Sequence, residues 1–457
     1  MNLLAIAWRN FRHRLLSSVL TTLSLTLGVA LVVLVVAIYG VVREAFENQA
    51  SVGYNLVVGP PGSDLQIVLN SVYYLSQPVE NLPYEYYLRF LSQEERARQV
   101  DAYGGDPSLG EEDGEYAVSV ADGYAIPLAL GDYFGKFRLV GTVPEFFGAM
   151  RYGEDKPLTF RDGRAFQTRT DANGYFEAVL GHRVARDMNV AVGDVINPTH
   201  GDPDGDRHDE GFTVVGILAP SGTPQDRAAF VNLEGFYLME GHADDVADDE
   251  PVSPVAAANA TLRAEDRYDE LIPLTIPERE VTAILVKTGF MYGVWLQNTV
   301  NESREARGAT PIKEIAYLMT AIVGPLRSVL LVITAITCVV AAVGVLVAIY
   351  NSMNERRRDI AVMRALGARR STVTMIIVWE SFLIAVIGGV AGWLLAHAAI
   401  WLARTRIEDE TGVTVGFWTT SPEELYIAPA IIALALLAAL LPATAAYATD
   451  VQKNLSA

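Results

Sequence analysis

The sequence predicts an α-helical membrane protein with four transmembrane helices and a mixed α/β extracytoplasmic domain of two lobes inserted between helices 1 and 2. Three observations lead there. Four long runs carry almost no charge, and each is long enough to cross a hydrocarbon core about 30 Å thick. The charge is divided: residues 43–321 hold 45 acids and 22 bases, and the remainder holds 9 acids and 13 bases. The acidic insert alternates β-rich runs with turn residues. A net charge of −19 argues against a nucleic-acid partner, which needs a basic surface.

Residues 1–18 place Leu4, Trp8, Phe11 and Leu15 at helical spacing, with Arg9, Arg12 and Arg14 on the remaining face. That pattern predicts an interfacial amphipathic helix on an anionic leaflet. It is not a signal peptide, because the apolar run that follows is too long and lacks a small-residue cleavage site. The four apolar runs are Val19–Val42, Val329–Ile349, Val373–Leu402 and Ile427–Tyr447. Arginines before the first run and between the second and third mark the cytoplasmic side. The predicted order is therefore helix 1 (19–42), outer domain (43–321), helix 2 (322–350), cytoplasmic loop (351–372), helix 3 (373–402), outer loop (403–426), helix 4 (427–447) and cytoplasmic tail (448–457). Helix 1 meets no breaker through Arg43-Glu44-Ala45-Phe46, and Ile312, Ile315, Met319 and Ile322 keep helical spacing into helix 2. Both helices are expected to continue beyond the membrane as a stalk.

Within the insert, Tyr54–Val58 is predicted as a strand ended by Gly59-Pro60-Pro61-Gly62. Ser63 is predicted to cap a helix through Leu75. Tyr84–Val100 has a helical pattern. Strands are predicted at Tyr116–Val120, Phe137–Val143, Phe212–Leu218, Ala229–Val231 and Val281–Val286. Residues 150–255, rich in Asp and Gly, are assigned to an inner lobe, and Asp244–Glu250 to a solvated loop.

Few residues suggest chemistry. Gly131 to Phe137 imitates a phosphate-binding loop, but it is one residue short between its glycines and has Phe137 where a magnesium-binding hydroxyl belongs. In His200–Glu210 the alternating Asp202, Asp204 and Asp206 evoke a calcium loop, yet Arg207 replaces the required glycine and Thr213 the bidentate Glu. His200 and His208 could meet zinc only with His182 or His242 brought in by folding. The stretch is read as a solvated acidic loop, and no metal or other cofactor is expected. The lone Cys338 excludes an intrachain disulfide and a cysteine zinc cluster.

Glu380 lies within the third span, where a carboxylate must find a partner; pairing with a nearby arginine is preferred to proton relay. Arg327 and His397 are placed near outer ends, where snorkelling accounts for them. Gly388 and Gly392 form a small-residue face for close helix packing, within the chain or between copies. Asn354–Arg370 carries six arginines, with Ile360, Met363 and Leu366 on one face and Gly367 as its C-terminal stop. It reads as a basic docking helix between two spans.

These residues resemble the MacB/FtsX-type, or type VII, ABC transporter permeases. One span, a large outer domain and three closely spaced spans follow that family's order. Tyr350–Gly392 is similar to its permease core: Glu355, Arg356, Arg358, Asp359, Ile360, Ala361, Arg364, Ala365, Gly367 and Ala368 match its E-R-x-R-[DE]-I-A-x-x-R-A-x-G-A pattern, and Glu380 its carboxylate early in the third span. Leu56–Leu69, Val179–Ile196 and Phe212–Leu218 resemble the MacB-like periplasmic domain. The ending Leu441–Ala457 keeps a Pro-Ala-x-x-Ala shape but has Thr444 and Thr449 and no base before Lys453.

The resemblance implies a permease in the cytoplasmic (inner) membrane with cytoplasmic termini. It also implies a homodimer or a heterodimer with a related permease, a separate ABC-type ATPase of the LolD, MacB or FtsE kind, and room for a periplasmic adaptor. Glu355, Arg356, Arg357, Arg358, Asp359, Ile360, Met363, Arg364, Leu366, Gly367 and Ala368 would be the coupling helix that docks on the ATPase. Because the chain has no nucleotide motif of its own, ATP hydrolysis is expected only in the partner. The implied work is mechanical motion of the outer domain for export or extraction of a lipoprotein, lipid-like or peptide substrate. Control of an extracytoplasmic enzyme or sensor is the alternative within the family, and a membrane-anchored scaffold without an ATPase is the alternative outside it.

Overall fold

Among the described residues, three helices are long and apolar enough to cross a membrane, with candidate spans at Ser18–Val41, Pro311–Thr337 and Ser371–Ile407. The computed structural model describes residues 8, 9, 12, 15–47, 53–78, 80–152, 155–240, 253–265, 267–289, 291–355, 367–411, 416, 424, 425, 429 and 433. The chain divides into two compact units, Met1–Glu44 with Met319–Ala457, and Ala45–Leu318. The predicted fourth span lies outside the described residues except for two positions, and Asp244–Glu250 lies wholly outside them.

In the membrane unit, α1 is Leu15–Glu47, α2 is Gly324–Glu355 and α3 is Arg370–Thr411. Hydroxyls inside these apolar helices bond back to their own helix, as lipid requires. Thr22 Oγ1 donates to the Ser18 carbonyl, Thr26 to Thr22 and Thr334 to Leu330. α2 continues Pro311–Leu318 through a π-helical turn, Met319–Val323. Pro325 explains that turn: it has no N–H for the carbonyl four residues back, and its ring crowds that carbonyl, so the helix widens just before it.

The outer unit is built on one mixed sheet. Its strands are β1 (Leu56–Gly59), β2 (Tyr124–Phe134), β3 (Phe137–Thr142), β4 (Phe160–Gly163), β5 (Glu177–Leu180), β6 (Val195–Ile196), β7 (Phe212–Leu218), β8 (Ala228–Asn232), β9 (Ala283–Lys287) and β10 (Arg307–Ala309). The order is β10-β1-β9-β2-β3-β8-β5-β7-β4, with β6 also on β7. β8 runs parallel to β3, β7 parallel to β5, and the remaining neighbours are antiparallel. β1, β3, β5 and β8 are buried along their whole length, so both faces of the sheet are covered there. Phe146, Phe147, Phe166 and Phe230 interlock on one part of this core, with ring centroids 4.9–5.8 Å apart.

β2 joins the two ends of the sheet. Its first half, Tyr124–Leu128, pairs β9, and its second half, Ala129–Phe134, pairs β3. The strands β4 to β8 therefore extend the same sheet, while Arg151–Tyr152 and Lys156–Pro157 pair with each other in a separate two-stranded ribbon.

The predicted strands at 137–143, 212–218, 229–231 and 281–286 coincide with β3, β7, β8 and β9 to within about two residues, the usual uncertainty of an element boundary. Three expectations are corrected. Tyr116–Val120 is a 3₁₀ turn over Ala117–Val120; its β-rich composition misled, because Tyr116 is buried against Phe90 and Tyr86 and not paired in a ladder. Tyr84–Val100 is two helices, Tyr84–Leu88 and Gln93–Tyr103. Ser92 and Glu95 form a capping box at the second start, a Ser-x-x-Glu signal that marks a new N-terminus. Ser63 stands at the N-cap of Asp64–Ser71, but its side chain makes no capping bond.

Candidate functional site

The predicted coupling segment is described only at its edges. α2 ends at Glu355. Arg356, Arg357, Arg358, Asp359, Ile360, Met363, Arg364 and Leu366 lie outside the described residues. Gly367 has φ 100°, a conformation that glycine adopts without steric penalty and that suits a helix stop. Ala368 follows, and α3 begins at Arg370.

α3 is then held to α1 by a seam of small residues. Leu25, Val29, Ala30 and Val33 of α1 are buried with Ile384, Ala385 and Ala396 of α3, and further along Ala37 and Val41 pack with Ile400. Rising numbers on α1 meet rising numbers on α3, so the two helices run parallel. Two parallel crossings require a return crossing between them, and α2 is the helix that lies between them in sequence.

Gly388 and Gly392 lie on this seam. A Cβ at Gly388 would meet Leu25 side-chain atoms at 3.0–3.3 Å; one at Gly392 would meet the Thr26 carbonyl oxygen and Val29 Cβ, both at 2.7 Å. The small face lets the backbones approach, and the helix filling it belongs to the same chain. Among the described side chains of α2 the large apolar ones are mostly exposed by contrast, including Val329, Val332, Ile336, Val340 and Val343.

Two polar side chains of this unit have clear partners among the described residues. His397 is buried, and its Nε2 lies 3.0 Å from Glu424 Oε2, to which Trp393 Nε1 also donates at 3.2 Å. Snorkelling is thus the wrong account of His397: its partner is Glu424, 27 residues further along. The Arg327 guanidinium stacks 4.2 Å from the Tyr39 ring centroid. Glu380 is half-buried on α3.

The outer unit has its own buried ion pair. Arg279 is fully buried and donates in fork geometry to both oxygens of Glu234 at 2.8 and 2.7 Å. Its guanidinium sits 3.6 Å from the Tyr103 ring centroid, with Tyr84 and Tyr237 also around it. Burial works against the charge on Arg279, but Glu234 together with Tyr84 and Tyr237 offsets it, holding the guanidinium protonated. Glu177 is a second locked carboxylate. Burial alone would raise its pKa, but bonds from Arg164, Asn173 and the Gln167 N–H hold it below the usual range. Both tie sheet to loop.

The imitation phosphate loop is the β2–β3 hairpin, with Gly135 at φ 57° in its turn. His200–Glu210 is an ordered hairpin and not a freely solvated loop: His200 N–H donates to the Asp206 carbonyl at 2.8 Å and His208 N–H to Pro198 at 3.0 Å. Asp202, Asp204 and Asp206 all point to solvent, and Asp202 Oδ1 accepts the Asp204 N–H in a local turn. His182 begins a separate helix, His182–Met188, near Asp226, and His242 lies outside the described residues.

Comparison with known proteins bears on both units. Residues 331–450 match the family model of the FtsX-like permease C-terminal region, and residues 18–270 that of the MacB-like periplasmic core domain. An uncharacterised ABC transporter permease of Methanocaldococcus jannaschii is 23% identical over 408 residues, covering 86% of this chain and 82% of that protein. Membership of such a family implies an ATPase partner in general. With an α/β domain inserted after the first of its apolar helices and both family models matched, the chain belongs to the MacB/FtsX-type family of ABC transporter permeases.

Proposed function

We propose that this permease transmits ATP-driven motion from a separate cytoplasmic ATPase to its outer domain, where the motion works on a lipoprotein, lipid-like or peptide cargo. The observation that carries this reading is the length of the membrane helices. α1 is one unbroken helix of 33 residues, about 50 Å at 1.5 Å per residue, where about 20 residues suffice to span. The second crossing runs helically from Pro311 to Glu355, with a π turn at Met319–Val323. A rod longer than the membrane carries displacement past it, and a passive anchor needs no such length. The α1–α3 seam couples the first rod to the helix that directly follows the coupling segment.

In this reading the termini and residues 351–372 are cytoplasmic, and residues 427–447 form a fourth span. Glu355–Ala368 docks on the ATPase through its arginines and the Ile360, Met363 and Leu366 face, and Gly367 ends the docking helix. The exposed apolar surface of α2 packs on lipid and on a second permease copy.

The test is co-purification of the cognate ATPase in mild detergent. Arg358→Glu, Ile360→Asp and Arg364→Glu should each remove most of the bound ATPase while the permease still inserts and elutes as the parent does. Undiminished ATPase retention in all three would remove the docking assignment.

A further inference from the structure

A β-bulge interrupts the β2–β3 ladder between Leu130 and Tyr133, and the residues thrown out of register are Gly131 and Asp132. Bulges re-aim side chains, and this one turns a carboxylate inward: Asp132 is fully buried. Beside it, Tyr133 and Thr199 exchange both backbone hydrogen bonds at 3.0 and 2.8 Å, which fixes the 197–211 hairpin against the bulge. Thr199 also bridges Arg207, and His200 and His208, which follow that pair on the two arms, sit diagonally with their rings 5.4 Å apart.

Both imidazoles face the carboxylate. His208 Nε2 lies 3.0 Å from Asp132 Oδ2, and His200 Nδ1 lies 3.6 Å from Asp132 Oδ1. The three donor atoms fall within 4.8 Å of one another. Ligands about 2.0–2.2 Å from a tetrahedral zinc ion sit about 3.3–3.6 Å apart, and the two His–Asp separations are close to that spacing. Gly201 N–H donates to Asp132 Oδ1 at 3.2 Å and Gln77 holds the Gly201 carbonyl at 2.8 Å, the kind of outer bonding that orients a ligating carboxylate. Arg138 is the nearby cation, but its guanidinium donates to the Gly131 and Ser76 carbonyls and stacks on Tyr133. Two imidazoles and one carboxylate suit zinc and its neighbours in the first transition row; calcium would require six or more oxygens.

We propose that Asp132, His200 and His208 form a site for a zinc-type divalent transition metal on the outer domain, clamping the 197–211 hairpin to β2. His208 and Asp132 are buried, while about half of the His200 side chain is exposed. The fourth coordination position therefore opens to solvent beside His200, as in sites that keep one place for water or an incoming donor.

The experiment uses the full chain, tag removed, stripped with EDTA in detergent and then given zinc chloride or cobalt chloride. One zinc per chain by mass spectrometry is expected, together with the visible absorption of tetrahedral cobalt. His200→Ala should weaken zinc at least about tenfold and abolish the cobalt band, with metal-free melting unchanged because the residue is exposed. Asp132→Asn should lose the metal as well. Substoichiometric zinc in the parent chain, or equal zinc uptake by parent and His200→Ala, would overturn the site.

Discussion

At Gly388 and Gly392 the same substitution should have different outcomes, because the neighbours differ in kind. An alanine Cβ at 392 meets a backbone oxygen that cannot move without the helix, so Gly392→Ala should destabilise by about 1–3 kcal/mol through overpacking. At 388 it meets only the Leu25 side chain, which can yield, and the better helix propensity of alanine, worth about 1 kcal/mol, offsets the contact. Thermal melts in detergent should thus show a clear fall for Gly392→Ala and little change for Gly388→Ala; equal losses would mean the seam is packed differently. In the outer unit, Glu234→Gln leaves Arg279 charged, buried and uncompensated, a loss of about 3–5 kcal/mol. Replacing both by apolar residues of similar volume should recover most of it, and a double-mutant cycle read by melting would check this. Glu177 sets a pH dependence. Its folded pKa is depressed, so the stability it provides is present above the unfolded value of about 4.3 and is lost as pH falls through the folded value. Glu177→Gln should therefore weaken the outer unit at neutral pH by about 1–3 kcal/mol and flatten its loss of stability below pH 4; an unchanged acid profile would contradict the sign.

Among the elements, the π turn at Met319–Val323 is an irregularity with a local cause in sequence. Pro325→Ala supplies the missing N–H, so amide exchange across 319–325 should slow as the helix closes to regular bonding. Exchange that stays as fast would place the cause elsewhere. Strands of unbroken apolar character, such as Phe212–Leu218, were legible from composition because both of their faces are covered. β2 was not, since Pro127 and Asp132 interrupt its pattern; Pro127 is tolerated there with its carbonyl taking the Thr142 hydroxyl, and Asp132 sits in the bulge. The candidate sites divide in the same way. Gly367, Gly388 and Gly392 announce themselves by local spacing. The His397–Glu424 pair and the Asp132–His200–His208 cluster depend on partners 27 and more residues away, which no local pattern contains.

On the scale of the whole molecule, the division of charge anticipated the division of structure. The acidic stretch carries the α/β sheet, and the charge-poor ends carry the long helices. The claim that joins them is that ATP-driven motion reaches the outer domain through Glu355–Ala368 and the helices on either side. With Cys338 replaced by serine, a spin label at exposed Glu94→Cys on the outer domain of each copy, in nanodiscs with the ATPase bound, measures that motion as an inter-label distance. ATP should shift the distance distribution in the parent chain and leave it unmoved in the Ile360→Asp, Arg364→Glu double variant. A distribution indifferent to ATP in the parent complex, or one that shifts equally in the double variant, would contradict the account.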